Sequence, residues 1–104
     1  MARFDIYPNP IDEDRGDFPY VLEIQSDMLY QVTERVCVPL VRPGTIPGLT
    51  ERFNPPVSVA GETVRLHPLG ISVFFASELR GRVDSASAQA LPIETALDML
   101  LRGY

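Results

Sequence analysis

The chain has 104 residues, of which 45% are apolar and 22% charged, enough for one modest core over residues 1–104 and too few for two. Nine basic against fourteen acidic residues leave a net charge of −5, the opposite of what a free-standing nucleic-acid binder needs for its phosphate contacts. No run approaches the length of a membrane span, the N-terminus lacks a charged-then-apolar signal, and one cysteine excludes an internal disulfide, so a cytoplasmic protein is expected.

In chain order, Arg3 to Tyr7 alternates, with Phe4 and Ile6 on one face, and reads as a half-buried strand. Pro8-Asn9-Pro10 stops it, and the acidic run from Asp12 to Asp17 reads as an exposed, solvated loop. Tyr20 to Gln25 is a second strand, followed by Ser26-Asp27, a pair suited to a side-chain-to-backbone turn. Arg35 to Leu40 is a third, with Val36 and Val38 on one face and Cys37 on the other. Pro39 lacks a ladder donor and should sit at an edge, a bulge or the strand's end.

Pro43 to Gly48 is a loop. Val57 to Ala60 and Thr63 to His67 form a hairpin whose two-residue turn falls on Gly61-Glu62. Ile71 to Ala76 is the last long apolar strand and should be buried on both faces along part of its length. Ser77 to Gln89 carries no clear pattern beyond a turn at Arg80-Gly81-Arg82, and no internal repeat occurs.

The chain ends in a helix, Pro92 to Tyr104. Ile93, Ala96, Leu97, Leu100 and Leu101 recur at helical spacing and make one apolar face. Pro92 fits the first turn, Arg102 suits the negative end of the helix dipole, and Gly103 is the expected left-handed terminator. Met99 and Leu100, near an exposed end, exceed what one small sheet needs for cover, and a two-fold dimer contact is expected there. Short strands followed by one amphipathic helix suggest a mostly β, antiparallel barrel or sheet capped by the helix.

The chemical inventory is thin. His67 is the only histidine, and Cys37, within a strand of core character, reads as a buried apolar residue rather than a nucleophile. No spaced Cys/His cluster, calcium loop or phosphate-cradling glycine motif is present. Neither catalytic residues, nor a metal, nor a cofactor is expected.

Phe4-Asp5-Ile6-Tyr7, the Gln25-Ser26-Asp27 that follows the second strand, Arg35-Val36-Cys37-Val38-Pro39-Leu40, and Pro56 to Glu62 occur in an order and spacing that resembles the CcdB family nearly end to end. The resemblance implies a five-stranded, SH3-like antiparallel barrel with a C-terminal α-helix, acting as a homodimer. It implies the toxin of a toxin–antitoxin module, which binds the A subunit of DNA gyrase, traps its cleaved-DNA complex and is not an enzyme. Its partners would be gyrase and a CcdA-like antitoxin, without direct nucleic-acid or membrane contact. The family's target-contacting residues are the last three, Trp-Gly-Ile in the best known member. Here they are Arg102, Gly103 and Tyr104: the glycine matches, and arginine stands in the place of the tryptophan.

Two alternatives stand beside gyrase poisoning. One is a homologue that has lost it and retains antitoxin binding. The other is a ribonuclease of the MazF type, built on the related barrel; a continuous arginine-rich groove would favour RNA, and an apolar or mixed dyad surface would favour gyrase.

Overall fold

A computed structural model describes residues 2–103. Seven strands pair only antiparallel: β1 (Asp5–Pro8), β2 (Tyr20–Glu23), β3 (Glu34–Val41), β4 (Pro56–Val59), β5 (Glu62–Leu66), β6 (Ser72–Phe75) and β7 (Asp84–Ser85). Their order is β4-β5-β3-β2-β1-β7, with β6 on β3. The helix α1 (Ala90–Arg102) follows. Asp84 of β7 reaches the β4–β5 hairpin, where its Oδ2 accepts the Ala60 N–H at 2.9 Å, so the sheet curls nearly closed. The barrel with a terminal helix is therefore present, with seven strands where the family resemblance implied five: Ser72–Phe75 is the strand expected within Ile71 to Ala76, and the two-residue Asp84–Ser85 adds one more.

Two apolar layers hold it. Ile6, Leu22, Val38, Leu40, Val57, Val59, Val64 and Leu66 point inward against Ile93, Ala96 and Leu97 of the helix. On the other face of β1, β2 and β3, Tyr7, Val21, Cys37, Phe74 and Leu79 form a second cluster. That second cover buries β1 on both sides, where alternation alone predicts a half-buried strand. Cys37 is fully buried by it.

Pro39 sits neither at an edge nor at a strand end. The outer edge of β3 is taken by β6 as far as Cys37 and by β5 from Leu40 onward. The Pro39 carbonyl accepts the His67 N–H at 3.0 Å, so its ring nitrogen faces the gap between those two partners, where no ladder acceptor goes unserved. Gly70 packs on this proline: a Cβ there would lie 2.6 Å from Pro39 Cγ.

The hairpin turn falls one residue earlier than expected. Val59 pairs with Glu62, which leaves Ala60-Gly61 as the two-residue loop. Both have positive φ, 50° and 85°, the mirror-image turn that matches strand twist. Strand β6 departs further from expectation: only Phe74 is buried, while Val73 and Phe75 are 57% and 58% exposed. Helix α1 begins two residues before Pro92, which still falls within the first turn, where no N–H is required of it.

Candidate functional site

The helix tip is built as its sequence dictates. Gly103 takes φ 85° and its N–H closes on the Met99 carbonyl at 3.2 Å, a left-handed cap that serves one of the last carbonyls. Arg102 is exposed and lies 3.9 Å from Asp98 one turn back. The five-residue apolar face divides. Ile93, Ala96 and Leu97 enter the core, Met99 and Leu100 are half-buried, and Leu101 is 74% exposed. Tyr104 lies outside the described residues.

Beside the last two turns runs a groove of about 370 Å³, with Ile24, Ile71, Leu97, Leu100 and Leu101 as apolar surface and Arg3, Glu94, Asp98 and Arg102 at its rim. Arg3 is fixed there: Nε donates to the Ile24 carbonyl at 3.1 Å, a terminal nitrogen lies 3.4 Å from Glu94, and the guanidinium stands 4.6 Å over the Phe4 ring. Phe4 holds φ 73°, a conformation uncommon for a bulky residue. Its N–H and carbonyl are both engaged, with Glu23 O at 2.6 Å and Ala86 N at 2.8 Å, which over-determines the bend that carries the chain from Arg3 into β1.

Strand register extends this surface. Val36 lies opposite Val73, and the Ile24 N–H donates to the Val36 carbonyl at 3.0 Å. Directly opposed residues share a face and alternate residues return to it. Ile24, Val36, Val73 and Phe75 therefore continue the face of Leu22 and Val38 that α1 covers. The helix ends before this face does. Apolar surface at Val73, Phe75, Ile71 and Leu101 is left uncovered, a contiguous feature of the kind that marks an interaction site.

The Gln25-Ser26-Asp27 run frames a second part of the site, which reading the helix alone does not reveal. Gln25, buried, donates through Nε2 to the Glu34 carbonyl at 3.0 Å and accepts the Val36 N–H at 3.0 Å. Ser26 Oγ accepts the Met28 N–H at 3.2 Å, and Asp27 Oδ1 accepts the Arg3 N–H at 2.8 Å. The loop so held presents Met28 (89% exposed), Leu29, Tyr30 and Val32. The signal in the sequence is Met-Leu-Tyr directly after a turn pair, apolar residues placed where solvent is expected.

His67 and Cys37 line one cavity on the opposite sheet face. Burial pushes the Cys37 thiol up to about 12, with Glu23 adding to the effect, and His67 Nδ1 is buried without a hydrogen-bond partner. The pair has neither a thiolate nor an orienting group. Among the described residues, no cluster of ligating side chains could hold a metal ion. Of the nine arginines, Arg3, Arg15, Arg35, Arg42, Arg65, Arg82 and Arg102 each lie within 4 Å of a carboxylate, which offsets much of their positive charge.

The family model described as CcdB protein matches residues 3–103. No curated protein matches the sequence. Among solved structures, an endoribonuclease in complex with its cognate antitoxin from a mycobacterial species superposes with a TM-score of 0.73 at 15% identity, over 97% of this chain and 94% of that one. A second mycobacterial endoribonuclease gives 0.69 at 18% identity, over 97% and 90%. At such identities the likeness is one of fold.

Proposed function

The chain belongs to the CcdB family, toxins of toxin–antitoxin modules, and on that premise we propose that it poisons DNA gyrase by binding the gyrase A subunit and trapping the cleaved-DNA complex. It does so in the cytoplasm, as a homodimer, without catalysis, and is restrained by a CcdA-like antitoxin. The observation that carries this reading is the apolar face running past the end of α1. A second copy covering Val73, Phe75 and Ile71 would reach the end of α1, since Ile71, Leu101 and Arg102 line one groove. Met99 and Leu100, half-buried at the same end, would lie at that contact. The antitoxin bound to one solved structure of the same fold supports an antitoxin partner here. The net charge of −5 and the pairing of seven of the nine arginines with carboxylates count against an RNA-cutting surface.

The test is induced expression in growing cells together with a purified-gyrase cleavage assay. Wild type should arrest growth and accumulate cleaved DNA, and deletion of residues 102–104 should abolish both while the dimer stays folded, because Arg102 and Gly103 are exposed and the ends of a chain generally add little to a core. Val73→Asp should give a monomer by sedimentation without loss of the fold. Full toxicity after the deletion would overturn the mechanism.

One observation favours a second reading. Arg102 stands where the family resemblance places an aromatic anchor and lies 3.9 Å from Asp98, and loss of such an anchor commonly costs about 2 kcal/mol or more. A protein that retains antitoxin binding alone would be inactive on gyrase both as wild type and as Arg102→Trp.

A further inference from the structure

The sheet face opposite α1 carries a cavity of about 210 Å³, room for about one aromatic ring. Phe18, Val21, Pro39 and Phe74 make its apolar walls, Ile11 stands at its rim, and His67 tilts against Phe18 with ring centroids 5.9 Å apart. Strand alternation separates it from the surface discussed above: Val21 and Cys37 face the cavity, Leu22 and Val38 the helix.

Its mouth is anionic. Asp14 lines it, within the exposed run Asp12, Glu13, Asp14 and Asp17. Asp12 is paired with Arg15 at 3.0 Å. Glu13, Asp14 and Asp17 pair with no cation among the described residues. The nearby cations are occupied. Arg15 Nε donates to the Asn9 carbonyl at 2.6 Å, and Arg42 donates to the Gly16 carbonyl at 2.9 Å while pairing with Glu62. His67, its pKa lowered by burial, adds no positive charge at neutral pH.

We propose that this cavity is a docking site for a polypeptide segment that sets an aromatic anchor beside lysine or arginine. The enclosed volume takes the ring, and the carboxylates extend along the loop beyond the mouth, so the matching cations belong to neighbouring residues of a chain rather than to the ring itself. Charge complementarity selects the occupant, as it does at interfaces generally. The site is independent of gyrase binding and goes beyond it.

The test is amide chemical-shift titration of the full-length protein at low salt with three blocked tripeptides, Trp-Lys-Lys, Trp-Glu-Glu and Ala-Lys-Lys. Trp-Lys-Lys should give saturable shifts at Ile11, Phe18 and Ser72, weakened by added salt. Trp-Glu-Glu should bind at least about tenfold more weakly, given three unpaired carboxylates each worth up to about fivefold, and Ala-Lys-Lys should not saturate. Asp14→Asn, an exposed change that leaves the core intact, should weaken Trp-Lys-Lys about two- to fivefold. Equal binding of Trp-Glu-Glu, absence of saturable shifts, or shifts confined to α1, Val73 and Phe75 would overturn the proposal. None of these outcomes bears on gyrase.

Discussion

Glu23 and Arg35 form an ion pair within the sheet's second face, Oε2 to Nε at 3.8 Å, with side chains only 4% and 8% exposed. The two terminal guanidinium nitrogens donate to the Leu29 carbonyl at 3.0 Å and the Tyr30 carbonyl at 2.7 Å. The pair thus holds the loop that presents Met28 to Tyr30. It is imperfect, since Glu23 Oε1 and Arg35 Nε have no hydrogen-bond partner, and burial pushes the Glu23 carboxyl up against the opposing pull of Arg35.

Arg35→Met should therefore destabilise the fold by about 3–5 kcal/mol, because it strands a buried carboxylate. The Glu23→Leu, Arg35→Met double variant should recover most of that loss. Urea unfolding of the four-member cycle measures it. A single-variant cost under about 1 kcal/mol would mean the pair is solvated in solution.

Ala60 holds φ 50° in the hairpin turn, a conformation that costs an L-residue about 1 kcal/mol. Ala60→Asn should raise stability by a similar amount, since asparagine before glycine suits this turn. The Ala60 N–H bond to Asp84 is made by the backbone and survives the change. A lowered melting temperature would show that the methyl group has a role in packing.

His67 is held neutral by burial, below its ordinary value of 6.5. Between the folded value and 6.5 the unfolded chain binds more protons, so stability rises with pH through this window and is lost as pH falls below 6.5. His67→Phe should flatten that slope, measured as the difference between the two proteins' denaturation midpoints across the interval. Parallel curves would assign the slope to other groups.

Cys37 is fully buried between β2 and β6, with its thiol pushed up to about 12. Labelling of the native protein by a disulfide reagent should be slow and should follow the global unfolding rate as urea is added. Fast labelling that urea does not accelerate would show local opening at β6.

The strands at residues 5–8, 20–23, 34–41 and 56–66 and the helix to Arg102 were legible because each carries its own period, two or about three and a half, and because prolines and glycines punctuate them. Ser26 as a turn residue and Gly103 as a cap were legible for the same reason: the chemistry lies within a few residues of each. The hairpin turn was misplaced by one position because alanine gives no local sign of tolerating positive φ.

What lay beyond local reach was the covering of each face. Ile71 to Ala76 reads as buried, yet β6 has apolar neighbours on one side only, so Val73 and Phe75 stay exposed while Cys37, Tyr7 and the charged Glu23 and Arg35 are enclosed. Pro39 reads as a residue of an edge, a bulge or a strand's end, and the change of partner from β6 to β5 lets it sit mid-strand. Propensity and period fixed most of the longer elements and the glycine that ends the helix, but not the two-residue strand Asp84–Ser85 or the exact hairpin turn. Which faces are covered emerged only in the folded chain, because burial depends on residues far along it: α1 ends short of the face it packs on, and that shortfall leaves Val73 and Phe75 exposed.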